Sequence, residues 1–369
     1  MTWRRWAWLL AFGLLLGLNL VLALAPTSWI ESVWLAGAWR AWPAVTARLH
    51  ALVPVGLTMP LLLVLTLAAL AWGLRRPPRW RRAPLALLAW AALLALTFLP
   101  AWGAAYRRPT LAATLQLSGS GADRAALLDA LERLVAAVEA DVPALPLAEL
   151  VPAGERSAPE LDAAVRAAAA CVQETVALVS GTTVSVPPRV RHLPEGSMLR
   201  SGFAGITLPW LLEPHVDAGL PTASFLAVAG HELVHAAGWA QEADTDALAV
   251  LAGLRCDHAW VRYASALHGV QVVSVSLRPL LTADGPDRVR AEAALAALPD
   301  AARADRAALT QAVGRWRTAV VSDLVTRVYD GYLRSQGVTE GVADYDAAGA
   351  LLAAAMTACA RQQRPGWCP

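Results

Sequence analysis

Residues 227–251 read AVAGHELVHAAGWAQEADTDALAVL, two histidines and four carboxylates set into what is otherwise an apolar helical run. His231, Glu232 and His235 form the HExxH arrangement. On a helix, residues four apart share a face one turn from each other, so the two imidazoles can hold one zinc ion. Glu232 then points beside the metal, where it can take a proton from the activated water. "FLAVAG" before and "AAGWA" after make this a buried segment. Two imidazoles and a carboxylate buried without partners would cost several kcal/mol, about the range for unpaired polar groups. A bound metal removes that cost.

Catalytic zinc usually takes a third protein ligand and leaves one position open. Glu242 lies seven residues past His235, about 10 Å further along the axis of any single straight helix. The chain must therefore turn, and Gly238 is placed to end the first helix in the left-handed conformation. A second helix from near Gln241 folds Glu242 back to the metal. Asp246, one turn on, shares the face of Glu242 and can accept the outer N–H of a ligand histidine. Asp244, on the other side of that helix, is the weaker candidate for either role, and His258 and His268 are the remaining alternatives for third ligand. Tyr263, Tyr332 and Tyr345 are possible oxyanion donors, with Tyr263 the nominated one. Glu213 and His215 are read as solvated loop residues that could line a cleft.

Outward from this segment, hydrophobic residues make up 57% of the 369 and charged residues only 16%, and every one of the 31 basic residues is arginine. The apolar surplus is concentrated at the start. Runs at about 6–24, 55–74 and 84–106 each approach the roughly 20 residues that cross a bilayer as a helix. Trp3, Trp6, Trp72, Trp80 and Trp102 stand at the run ends, where an interfacial belt would place them. The first run is long for a signal peptide, and a cut after its "ALA" would leave Pro26 at the new terminus, so it is read as a retained anchor. Residues 26–53, rich in tryptophan, are expected to lie along the membrane surface.

Residues 1–106 carry nine arginines against one acid, and the remainder 22 against 28. A nucleic-acid partner is therefore not expected for the large domain. Seven arginines flank one side of the three spans and four the other, which puts the N-terminus and the "RRPPRWRR" hairpin in the cytoplasm and residues 107–369 outside. All four cysteines, Cys171, Cys256, Cys359 and Cys368, fall in that external part; three pairings are open to them. The external domain reads as mainly α with a small β element. Helices are expected over 123–140, 160–179, 222–235 (capped by Thr222), from near Gln241, over 301–334 and over 345–361. Short strands are expected between Thr182 and Leu220.

The whole chain resembles a bacterial family of membrane-anchored HExxH proteins, classed as a domain of unknown function and regarded as zinc metallopeptidases. The likeness runs through "AWGAAYRRP", "GFAGITLPWLLEP", "HELVHAAGWAQEADTDALAVLAGL", "RYASALHG" and "VYDGYLRSQGVTEGVADY". The family motif resembles HELAHxxGFxxExEAN, with Trp239, Glu242, Asp244 and Asp246 at its aromatic, first acid, second acid and Asn positions. The last two depart from it. The resemblance implies three transmembrane helices followed by a zincin-like helical metallopeptidase domain. It also implies one Zn2+ per chain on His231, His235 and Glu242, with Glu232 as base. The resemblance names no substrate; the expected partners are a lipid bilayer and a peptide or protein substrate, of the envelope or extracellular. The competing expectation is a non-catalytic, membrane-anchored zinc-binding scaffold, against which the intact Glu232 argues. An intramembrane protease is excluded by position, since HExxH follows the last apolar run by more than 100 residues.

The arginine asymmetry predicts that an alkaline-phosphatase fusion at Pro369 is active and a cytoplasmic fluorescent reporter there is dark. The reverse pattern would overturn the orientation.

Overall fold

The computed structural model describes residues 3–75, 79–117, 123–142, 145, 159–281, 285–361 and 366–369. The turn of the expected arginine hairpin, at 76–78, lies outside them. The chain is mainly helical with one small sheet. At the start stand α1 (Trp3–Leu24), α2 (Ala41–Leu52), α3 (Thr58–Leu74) and α4 (Arg79–Ala101). Within α4, Arg81–Ala101 is long and apolar enough to cross a membrane. So is the stretch Leu10–Leu24 plus Thr27–Leu35, if taken as one element bent by 120°. At 17 residues, α3 is about 26 Å long and at the short end of what a bilayer needs.

The helices do not coincide with the apolar runs. Helix α3 begins only at Thr58, after an irregular stretch from Val53 to Leu57, and α4 ends at Ala101. Residues Gly103–Arg107 make a 3-10 turn whose Ala104, Ala105 and Tyr106 are buried. The segment between α1 and α3 is not one surface helix. It has a π-helical turn (Ile30–Leu35) and a 3-10 turn (Ala38–Arg40) before α2. Its Ile30, Leu35, Trp39 and His50 are buried.

Beyond Arg108 come α5 (Arg124–Asp141) and α6 (Pro159–Ser180), then β1 (Arg191–Leu193), β2 (Gly205–Leu208) and β3 (Glu213–Asp217). They are followed by α7 (Thr222–Ala236), α8 (Glu242–Leu254), α9 (Ala259–Leu277), α10 (Pro286–Ala296), α11 (Asp300–Trp316), α12 (Ala319–Ser335) and α13 (Ala348–Arg361). Helix α5 starts where the Asp123 side chain accepts from Ala125 N, and buries Leu127, Leu131, Leu134 and Val138 at helical spacing. Helix α6 is also apolar enough to span a membrane, but 44% of its apolar stretch is buried against 11% for Arg81–Ala101. It belongs to the core, packed on α7 and α8. Thr222 makes no capping bond; Pro221 takes the N-cap position of α7.

The expected helix over 301–334 is two, α11 and α12, broken at Arg317 and Thr318, where Thr318 N turns to the Arg200 carbonyl. The expected helix from Tyr345 starts at Ala348, after a 3-10 turn from Gly341. Helices α9 and α10 were not expected. The four cysteines pair as Cys171–Cys256 and Cys359–Cys368.

The sheet has the order β1-β3-β2, with β3 parallel to β1 and antiparallel to β2 (Gly205 opposite Val216, Leu208 opposite Glu213). Every residue of β3 is buried. Each end of this central strand carries a carboxylate clasped by amides. Asp217 accepts from Gly196, Met198, Leu199 and Gly219 N at 2.8–3.1 Å. Glu213 accepts from Leu57 N (2.9 Å) and Thr58 N (2.8 Å), unpaired donors at the start of α3, and from Arg191 Nε at 3.1 Å. Burial opposes its charge, but the Thr58 and Leu57 amides outweigh it and hold this carboxyl below its usual range. His215 lies against the same carboxylate at 3.7 Å. Glu213 and His215 are thus buried fastenings between a helix of the apolar N-terminal region and the sheet, not solvated cleft residues.

Replacing Glu213 by Ala strands the Arg191 guanidinium and two helix amides in the interior. The expected loss is about 3–5 kcal/mol, the range for breaking a buried ion pair. It is read as a lowered unfolding midpoint of the full chain in detergent; an unchanged midpoint would contradict this account.

Candidate metal centre

Helix α7 presents His231 and His235 one turn apart, and the chain then reverses. Gly238 has φ +90°, and a Cβ there would lie 2.7 Å from the Trp39 ring, so the turn needs glycine for both conformation and space. Arg108 braces the turn. Its Nη1 donates to the Gly238 carbonyl (2.8 Å), its Nη2 to Glu31 Oε1 (2.8 Å), and its guanidinium stacks 3.8 Å above the Trp239 ring. Helix α8 then opens with Glu242, buried and folded back against α7. His231, His235 and Glu242 are the group of potential ligands found among the described residues.

The three ligand atoms form a near-equilateral triangle. Nε2 of His231 lies 3.1 Å from Nε2 of His235, and Glu242 Oε2 lies 3.2 and 3.3 Å from them. Zinc bonds of about 2 Å in tetrahedral geometry put ligand atoms about 3.3 Å apart. The outer atoms settle which lone pairs face inward. His235 Nδ1 lies 2.7 Å from the Trp239 carbonyl, which can only accept, so Nδ1 carries the proton. His231 Nδ1 donates to Asp246 Oδ1 at 2.7 Å. With Nδ1 carrying the proton and Nε2 bare on each ring, the two Nε2 lone pairs aim at each other and at a carboxylate oxygen. The other Glu242 oxygen accepts from the Tyr329 hydroxyl. Three acceptors converging in a buried site repel one another, and a cation is the species they fit.

The electrostatics agree. Burial works against the charges of Glu242 and Asp246, yet the histidines beside them hold both carboxyls far below their usual range. Burial likewise opposes protonation of His231, but Asp246 and Glu242 outweigh it and raise its pKa well above the ordinary value. The cluster thus draws positive charge to its centre.

Glu232, on the flank of α7, ligates nothing in this triangle. Its Oε2 accepts from the Thr207 hydroxyl at 2.8 Å, and burial raises its pKa. A Cβ at Gly205 would lie 2.6 Å from Glu232 Oε1, so glycine lets β2 come this close. A cleft of about 560 Å³ opens beside the cluster, lined among others by Phe203, Gly205, His231, Glu232, Ser322 and Tyr345. Tyr345 lies parallel to the His231 ring, 6.4 Å between centroids.

Several candidates go elsewhere. Asp244 points away and accepts from Leu111 N at 2.9 Å, its pKa pushed up to about 7 by burial. Tyr263 is buried, its hydroxyl donating to Asp305 at 2.6 Å, and it does not line the cleft. His268 reaches Asp246 Oδ1 at 3.1 Å, one layer out from the triangle. His258 stands at the start of α9 with its Nδ1 unpartnered and outside the cluster. Trp102, expected at a lipid interface, is 5% exposed and meets the His235 ring edge-on at 5.7 Å. Sequence reasoning did not find Tyr329, Thr207 or Arg108. They lie 87, 25 and 130 residues from their partners, beyond any local spacing.

No curated protein and no solved structure matches the chain. Residues 37–353, from the turn that carries Trp39 into the last helix, match the model of the family described as "Protein of unknown function (DUF3810)", and the chain belongs to that family.

Proposed function

We propose that the protein is a membrane-anchored zinc-dependent metallopeptidase with a zincin-like catalytic domain outside the cytoplasm, cutting a protein or peptide of the cell envelope or its surroundings. The observation that carries the reading is the convergence of the His231, His235 and Glu242 acceptors, with a buried carboxylate, Glu232, in the adjoining cleft and outside the triangle. Zinc in such a set would polarise a scissile carbonyl and make water acidic enough to lose a proton near neutral pH. Glu232 takes that proton and returns it to the leaving amine, a task suited to a carboxyl whose pKa burial has raised. Asp246 and the Trp239 carbonyl hold the two imidazoles in their working tautomers. Strand β2 has a neighbour in the sheet on one side only and runs past Glu232, so it can pair with an extended peptide. Tyr345, in the cleft beside His231, takes the oxyanion-donor role for which Tyr263 is misplaced. The two disulfides and the arginine asymmetry support an external domain.

The full chain purified in detergent is expected to carry one zinc by elemental analysis. His231→Ala and Glu242→Ala should lose it and Asp244→Ala should keep it; loss only in the last would mean a different ligand set.

Glu232→Gln keeps shape but not the capacity to accept a proton. It should fold, retain zinc, and cleave substrates from an envelope extract about a hundred- to ten-thousand-fold more slowly. If it complements a deletion strain as well as the parent, peptide hydrolysis is not the function and a zinc-binding scaffold is. Tyr345→Phe is expected to keep zinc and lower kcat about a hundred-fold or more, the usual effect of removing one oxyanion donor. An unchanged kcat would remove Tyr345 from the reaction.

A further inference from the structure

Helix α12 has two faces in different surroundings. One carries Ser322 and Thr326 into the cleft and sets Tyr329 against Glu242. The same side seats Tyr332 against Phe98 and Tyr106, with ring centroids 6.1 and 6.0 Å away, and buries Leu333 in the cluster that holds Leu22 and Trp102. The opposite face is bare. Val320, Leu324 and Val328, on successive turns, are 78, 58 and 66% exposed, with Val321 beside them at 41%. Asp323 and Arg327, also exposed, border this stripe on one side, and beyond them Arg334 is paired with Asp330 at 2.8 Å. An exposed apolar stripe bordered by charged side chains, on a helix whose other face is packed, is the amphipathic pattern of a helix lying in the plane of a lipid interface.

The occupant follows from what the other face touches. Phe98 stands in the last turn of α4, the helix whose Arg81–Ala101 stretch is apolar and largely uncovered. Leu22 stands at the corresponding end of α1. The C-terminal half of α12 is therefore fastened to the ends of helices of membrane-spanning character, and its bare stripe continues from there. We propose that this face of α12 is embedded in the interfacial layer of the bilayer, so that the lipid surface backs a helix whose inner side walls the cleft. This rests on the reading of the N-terminal helices as membrane-spanning. A second copy of the chain is the competing occupant.

The four native cysteines are paired, so an introduced cysteine can be labelled alone. Full-length Leu324→Cys and Val320→Cys, spin-labelled and reconstituted in vesicles of neutral and anionic phospholipid, are compared with two controls. One is Leu88→Cys on the uncovered face of α4, the other Ala293→Cys on the exposed side of α10. Labels at 324 and 320 are expected to collide more with oxygen than with a water-soluble nickel chelate, as at 88 and unlike 293. Water-like collisions at both, with lipid-like collisions at 88, would overturn the proposal and leave the anchor standing. Water-like collisions at 88 would overturn the anchor and the proposal with it. Spin–spin broadening between labels at 324 would assign the face to a second copy and also overturn it.

Discussion

Two imidazole lone pairs and a carboxylate oxygen aimed at one another, 3.1–3.3 Å apart and away from water, are stable only around positive charge. The surrounding structure enforces that convergence. Asp246 and the Trp239 carbonyl occupy the outer nitrogens, and Tyr329 occupies the outer carboxylate oxygen, so none of the three acceptors can rotate out to find a donor. A proton on one ring relieves one contact. A divalent ion relieves all of them, and this makes the donor set a strong pointer toward metal chemistry.

Holding the triangle also requires the turn at Gly238, and that turn is packed from the apolar N-terminal region. Trp39 fills the space a Cβ would take, Trp102 abuts the His235 ring, and Arg108 ties the Gly238 carbonyl to Glu31. The sheet is fastened to the same region through Glu213 and the first amides of α3. A boundary between anchor and domain at residue 106 is legible in composition but not in packing. Tyr106 and Leu333, 227 positions apart in sequence, share one core.

What the sequence made legible was local. The separation of His231 and His235, the turn demanded by Glu242 and the one-turn step to Asp246 follow from helix geometry alone, and each landed where expected. Asp246 and Asp244 are separated by their side of α8, which is why the first reached His231 and the second turned to Leu111. Tyr263 lies away from the cleft, and nothing in a single sequence says which of several tyrosines the fold will bring there. Helix α9 was missed because "VQVVSVSL" and its surroundings are apolar on most sides, so no helical period stands out from a core element. The break at Arg317 follows Gly314 in the last turn of α11, but no glycine or proline stands at the break itself, where Thr318 bonds across the fold to Arg200.

The Arg108 bridge bears on what a cut between the N-terminal helices and the rest of the chain would leave behind. A cut between Tyr106 and Arg108 would free a fragment whose Arg108 keeps Gly238 but parts from Glu31. The turn would lose the Trp39 ring packed against it, and His235 would lose Trp102. The released piece would carry its ligands on an unsupported turn. The geometry of the centre thus depends on the N-terminal helices staying attached to the rest of the chain.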